Sequence, residues 1–98
     1  MVLHTVNQAP HSSQCLTDCL RVISAPAALL LIEDGSYAAT VANAPLFDNL
    51  DCNIDCYVLL PDLEARGLLT AISPRFTPIT DCAFVALSTQ CQRVQSWY

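Results

Sequence analysis

Cysteine is the residue type in this chain whose chemistry is most evident, because six cysteines occur among 98 residues. A cysteine can act as a nucleophile, bind a metal ion or pair in a disulfide. The stretch CLTDCLRV places Cys15 and Cys19 four residues apart, and DCNIDC places Cys52 and Cys56 at the same spacing. The chain has no lysine and only two glycines. Schiff-base chemistry and glycine-rich phosphate loops are therefore excluded.

The first cysteine pair lies on a predicted helix. At helical spacing, Cys19 shares an apolar stripe with Leu16, Leu20 and Ile23, and Cys15 lies at the border of that stripe. A free cysteine is often a small buried side chain, which is one interpretation of Cys19. The other is a reactive thiol, because the helix begins where sites form in α/β proteins and helix N-termini lower thiol pKa values. The spacing leaves both open.

The other four cysteines give weaker signals. Cys52 and Cys56 lie among aspartates, and negative charge disfavours a thiolate. Strand alternation places Cys56 in the core, and helical spacing does the same for Cys91. Cys82 falls in the first turn of the last helix, where reactivity stays open. The two pairs could bind zinc, but the acidic loop argues against it, and we expect neither a metal nor an organic cofactor.

The composition limits the classes of partner. The chain is 53% hydrophobic and 13% charged, with a net charge of −5. Few charges favour a subunit of an assembly over a free monomer. Four scattered arginines are too few for direct nucleic-acid binding. The sequence shows neither a signal peptide nor a long apolar run, so we expect a soluble, cytoplasmic protein without membrane contact and with free thiols.

The chain alternates between strand and helix patterns from end to end. Its length predicts one domain covering residues 1–98. Ser12 or Ser13 is the expected cap of the first helix, and Asp81 of the last. The alternation predicts a three-layer α/β/α sandwich with a largely parallel sheet of about five strands. We predict strands at 2–6, 27–33, 54–60, 76–80 and 94–98, and helices at 13–24, 36–44, 62–66 and 82–91.

Three other groups of residues suggest contacts. His4 lies within a strand, where a hydrogen-bonded structural histidine is the simpler interpretation. Asp62 and Arg66 are spaced as an ion pair on one helix. Trp97 and Tyr98 are candidate interface residues because both types are enriched at interface centres. The alternative for Trp97 is that it covers the core of its own chain.

Four stretches of this sequence resemble one known family. They are LHTVNQAP, LLLIEDGSYAA, YVLLPDLEARGL and FVALSTQCQRVQSWY, and together they extend over nearly the whole chain. In this order, with the D-L-x-A-R-G segment and a tryptophan at the penultimate position, they resemble the DsrH/TusB family of sulfur-relay subunits. Cys82 departs from the pattern, since a tyrosine is expected after the aspartate.

The resemblance implies a subunit of a cytoplasmic sulfurtransferase complex that handles cysteine persulfide. The implied partners are related E/D-type and F/C-type subunits in a heterohexamer, together with a downstream sulfur-acceptor protein. The Tus branch leads to 2-thiolation of the tRNA wobble uridine, and the Dsr branch to dissimilatory sulfur oxidation. The first-helix cysteine of DsrH-type members matches Cys19, which becomes the candidate persulfide carrier, with Cys15 a bystander. A non-catalytic structural subunit is the alternative, so whether this chain is itself an enzyme stays open.

Overall fold

A computed structural model describes all 98 residues and shows a five-stranded sheet with helices on both faces. Every strand pairing is parallel, and the strand order is β4-β3-β2-β1-β5. The predicted α/β architecture is confirmed. The strands are β1 (Val2–Val6), β2 (Ala27–Leu31), β3 (Asp55–Leu59), β4 (Thr77–Ile79) and β5 (Arg93–Trp97). The helices are α1 (Cys15–Val22), α2 (Leu60–Ala65) and α3 (Asp81–Gln90), with 3-10 helices at Glu33–Ala39 and Val41–Phe47.

Apolar character decides the position of each strand in the sheet. All five residues of β2 are buried, as expected for a central parallel strand covered on both faces. The edge strand β4 has only three residues and contains Pro78. Proline has no amide hydrogen to donate, so an edge strand is where it fits. Strand β5 forms the other edge and is mostly exposed.

The strand order also explains how the helices are divided between the faces. From β1 through β4 each connection moves the chain in one direction across the sheet, so right-handed crossovers place those connections on the same face. The last connection runs back from β4 to β5, beyond β1, in the opposite direction. It therefore places α3 on the other face, where α3 is the only helix.

Two apolar clusters match this division. The larger one joins twelve buried residues from β1, β2, β3, the covering helices and the segment just before β4, including Cys19, Phe47 and Leu63. The smaller one contains only Leu3, Ala28 and Leu30, with Phe84 and Leu87 among the half-buried side chains around it. The face under α3 is thus the thinner half of the core.

Three local predictions are wrong. The segment predicted as a helix at 36–44 forms two 3-10 helices, and Pro45 lies inside the second. Gln14 holds the N-cap position of α1 without a side-chain capping bond, whereas Ser13 Oγ accepts a hydrogen bond from the Cys15 amide at 3.1 Å. Thr80, rather than the aspartate after it, caps α3, because its hydroxyl accepts a bond from the Ala83 amide.

Candidate functional site

Cys19 lies under α1, within the larger apolar cluster. Its side chain is 0% exposed, and Leu16 is the only other buried residue of this helix. Burial raises the pKa of the Cys19 thiol to about 12, because an apolar surrounding disfavours the charged form. In this conformation Cys19 is a protonated core residue.

Cys15 begins α1 and is half-buried against the same cluster. Its amide is satisfied by the serine hydroxyl that precedes the helix. Cys15 therefore shares the helix with Cys19 but not its complete burial.

The carboxyl ends of β1, β2 and β3 lie at one edge of the sheet, and a charged cluster lies there. Arg66 donates hydrogen bonds from Nε and Nη2 to Asp34 Oδ1 at 3.1 and 2.9 Å. The predicted pair between Arg66 and Asp62 is also present, with 3.7 Å between Nη1 and Oδ1. Asp62 Oδ2 in turn accepts a bond from the Glu33 amide at 2.7 Å. These bonds connect α2, and Arg66 just after it, to the turn that follows β2.

That turn has an unusual backbone. Glu33 has a φ of 50°, in the left-handed region that non-glycine residues rarely adopt. A Cβ on Gly35 would lie 2.2 Å from the Val6 carbonyl oxygen, so only glycine fits there. The Asp62 bond to the Glu33 amide therefore stabilises a strained turn that lies directly against the end of β1.

Two buried polar atoms at this edge were not foreseen from the sequence. Ser36 is 0% exposed, and its Oγ has no hydrogen-bond partner. Asn7 Oδ1 is buried and unpartnered as well. Buried polar atoms usually have hydrogen-bond partners, so each of these two atoms is able to form a hydrogen bond with a further group.

The other cysteines are distributed over both faces and both ends of the sheet. Cys56 is buried, as predicted, whereas Cys91 is only half-buried beside α3, which corrects its assignment to the core. Cys52 and Cys82 are exposed. All six thiols are free, and no group of three or more His, Cys, Asp or Glu side chains has the arrangement of a metal site.

His4 forms a side-chain hydrogen bond with the last strand. Its Nδ1 accepts a bond from Trp97 Nε1 at 3.1 Å, and the two rings lie stacked with centroids 6.2 Å apart. Burial, assisted by the charge of Arg93, lowers the pKa of His4 below 6.5. Trp97 also packs against the larger cluster, so it covers its own core in part, while Tyr98 is 82% exposed.

These features define a class: a small, all-parallel α/β/α protein with a buried thiol under its first helix and an exposed apolar helix on its thinner face. Two solved structures share the fold. The ychN protein from E. coli superposes with a TM-score of 0.82 at 15% identity, over 98% of this chain and 97% of that one. Protein Tm0979 from Thermotoga maritima gives 0.65 at 22% identity, over 92% and 93% of the two chains.

Sequence comparison gives the family. A family model described as "DsrH like protein" matches residues 8–94. The protein named TusB from Erwinia tasmaniensis is 40% identical over 96 residues, which cover 98% of this chain and all of the relative. TusB from Serratia proteamaculans is 37% identical over 97 residues, with the same coverage. The chain belongs to the DsrH family, which confirms the resemblance found in its sequence. None of its helices has the length and apolar character needed to cross a membrane.

Proposed function

We propose that this chain is a subunit of a sulfur-relay complex that passes protein-bound persulfide sulfur toward 2-thiolation of the tRNA wobble uridine. Its membership in the DsrH family, with relatives named TusB that match from end to end, carries the proposal. Those relatives favour the tRNA branch. Dissimilatory sulfur oxidation is the alternative, since DsrH is the name of the matching family model.

The assembly we propose is a cytoplasmic heterohexamer with related E/D-type and F/C-type subunits, which delivers sulfur to a separate acceptor protein. Helix α3 supports an assembled state. It contains the run CAFVAL, six apolar residues in succession, yet none of its residues is buried, and Val85 is 61% exposed. An exposed apolar surface of this kind is typical of a subunit interface. Tyr98 remains an interface candidate, whereas Trp97 is partly used within its own chain.

Within the complex, the burial of Cys19 favours a structural role for this chain. With a pKa of about 12, only about one Cys19 thiol in 10⁵ is ionised near pH 7. A sulfur carrier needs a thiolate that reaches its donor. This burial supports a role in which a partner subunit carries the sulfur chemistry and Cys19 fills the core beneath α1.

The second candidate function keeps Cys19 as the persulfide carrier. It is supported by the small number of contacts that hold α1, which buries only two residues and has no side-chain cap. If a partner displaced the helix, the Cys19 thiolate could attack the outer sulfur of a donor persulfide. A sulfur–sulfur bond would form on Cys19, the bond within the donor would break, and the donor would leave as a thiolate.

Deletion of the gene tests the cellular role. The tRNA proposal expects loss of 2-thiouridine from bulk tRNA, measured by mass spectrometry of nucleosides, and restoration by the intact gene. Normal 2-thiouridine together with impaired sulfur oxidation would assign the chain to the Dsr branch instead. Normal values of both would refute a relay function.

A surface variant tests the assembly. Val85→Asp places a charge in the centre of the exposed apolar run, so it should abolish co-purification with the partner subunits while leaving the chain folded. Thr17→Asp is the control, because Thr17 is an exposed polar residue on α1, across the sheet from α3. If Val85→Asp assembles as well as Thr17→Asp, α3 is not an interface.

A further inference from the structure

A cavity of about 340 Å³ opens at the amino-terminal ends of β3 and β4, opposite the edge that carries the Asp34 and Arg66 cluster. Two cysteines line it. Cys52 lies on the exposed turn before β3, and Cys56, with 5% exposure, lies within the strand. Neither thiol takes part in the function proposed above.

A tight turn brings the two cysteines to the same cavity. The Ile54 amide donates to the Asp51 carbonyl at 3.1 Å, and the Asn53 amide donates to Asp51 Oδ1 at 2.9 Å. The chain therefore turns at Cys52 and Asn53, immediately before β3, and both cysteines line the cavity. Four residues of separation on a straight strand would instead place them more than 12 Å apart.

A third cavity residue, Arg75, comes from a distant part of the sequence. Its Nη2 donates to the carbonyls of Leu50 and Asp51 at 3.2 and 3.1 Å, which holds the base of the turn. Its Nε is buried without a hydrogen-bond partner, and the side chain forms no ion pair. The guanidinium charge is therefore available to the cavity.

The charge of Arg75 affects the buried thiol. Burial raises the pKa of Cys56, the positive charge of Arg75 lowers it, and the negative charge of Asp55 raises it. The aspartates around these cysteines predicted poor nucleophiles from the sequence. The structure adds the positive charge that the sequence did not reveal, because Arg75 lies 19 residues beyond Cys56 in the chain.

We propose that Cys52 and Cys56 form a redox-active thiol pair at this cavity, which exchanges with low-molecular-weight disulfides such as glutathione disulfide. In the first step, the Cys52 thiolate attacks one sulfur of glutathione disulfide. The bond within that disulfide breaks, a mixed disulfide forms on Cys52, and one glutathione leaves as a thiolate and takes a proton.

In the second step, Cys56 loses its proton to solvent and attacks the Cys52 sulfur. The Cys52–Cys56 bond forms, and the second glutathione leaves as a thiolate and is protonated. Two protein thiols are thus oxidised and one glutathione disulfide is reduced to two glutathiones. Arg75 assists by stabilising the Cys56 thiolate that makes this attack.

The test uses the full-length reduced chain in glutathione redox buffers, followed by acid quenching, alkylation and peptide mass spectrometry. We expect a Cys52–Cys56 disulfide, with a mass loss of about 2 Da, to be the main oxidised form. Exposed Cys82 is the internal reference and should carry only a glutathione mixed disulfide of about 305 Da added mass. A wild-type chain that holds Cys52 as a stable mixed disulfide, or that links Cys52 to another cysteine, would overturn the proposal.

Two variants test the roles of individual residues. Cys52→Ser changes an exposed position, so the chain should fold normally and Cys56 should stay reduced. Arg75→Gln keeps a donor for the turn carbonyls but removes the charge. Loss of that charge should raise the Cys56 pKa and slow disulfide closure about tenfold at neutral pH. Closure at the wild-type rate in Arg75→Gln, or rapid oxidation of Cys56 in Cys52→Ser, would refute the mechanism.

Discussion

The rate at which Cys19 is alkylated in the native chain measures how strongly burial suppresses the reactivity of its thiol. Burial raises the thiol pKa from 9.0 to about 12, and the side chain has no exposed surface. A shift of three units lowers the thiolate fraction near pH 7.5 about a thousandfold, and only the thiolate reacts with iodoacetamide. We therefore expect Cys19 to react at least about a thousandfold more slowly than a freely exposed cysteine.

The assay is a timed pulse of iodoacetamide, followed by denaturation, labelling of the remaining thiols with an isotopically heavy reagent, and peptide mass spectrometry. Cys82 is exposed and serves as the reference within the same molecule. In concentrated urea the two cysteines should react at similar rates, because the difference comes from the fold. A native Cys19 rate within about tenfold of Cys82 would show that α1 opens readily, and it would refute the structural role of this thiol.

Three further predictions concern packing and pH. Gly35→Ala should cost about 3 kcal/mol or more in unfolding free energy, because its Cβ would meet the β1 backbone at 2.2 Å. Gly67→Ala, at φ 66° with open space, should cost only about 1 kcal/mol in the same urea titration. Burial lowers the His4 pKa from 6.5, so the unfolded chain binds this proton more tightly and stability should fall as pH drops below about 6.5. Fluorescence of Trp97, the only tryptophan, should follow that loss, and His4→Asn should remove it. The Cys19 pKa is raised on folding, so stability should decline between pH 9 and 12, by up to about 4 kcal/mol, and Cys19→Ala should flatten that decline. Equal losses of unfolding free energy in Gly35→Ala and Gly67→Ala would contradict the packing argument. A loss of stability at acid pH in His4→Asn equal to that of the wild type would contradict the His4 argument, and an equally steep alkaline decline in Cys19→Ala would contradict the Cys19 argument.

The sequence was sufficient for the sheet and for most helices. Apolar runs such as residues 27–31 are long and uninterrupted, so burial on both faces can be inferred directly from them. The segment predicted as a helix at 36–44 was misassigned because its helical length concealed the close approach of Gly35 to β1. Pro45, which was expected to end that helix, lies within the second of the two 3-10 helices that form instead.

The candidate site was predicted less completely, for a physical reason. The position of Cys19 on an apolar stripe could be inferred from helical spacing, because that spacing is a local property. The charge of Arg75 beside Cys56 and the contact of Arg66 with Asp34 depend on how distant segments pack. The same holds for the half-buried position of Cys91, since α3 alone covers its face of the sheet.

The most direct test of the proposed function locates the sulfur in the assembled complex. The complete complex would be incubated with a persulfide donor, treated with iodoacetamide and analysed by mass spectrometry for an added sulfur of about 32 Da on each cysteine. A relay subunit with a structural Cys19 predicts persulfide on a partner cysteine and an unmodified Cys19. Stoichiometric persulfide on Cys19 would contradict the structural role, and a complex in which no cysteine gains sulfur would contradict the relay function itself.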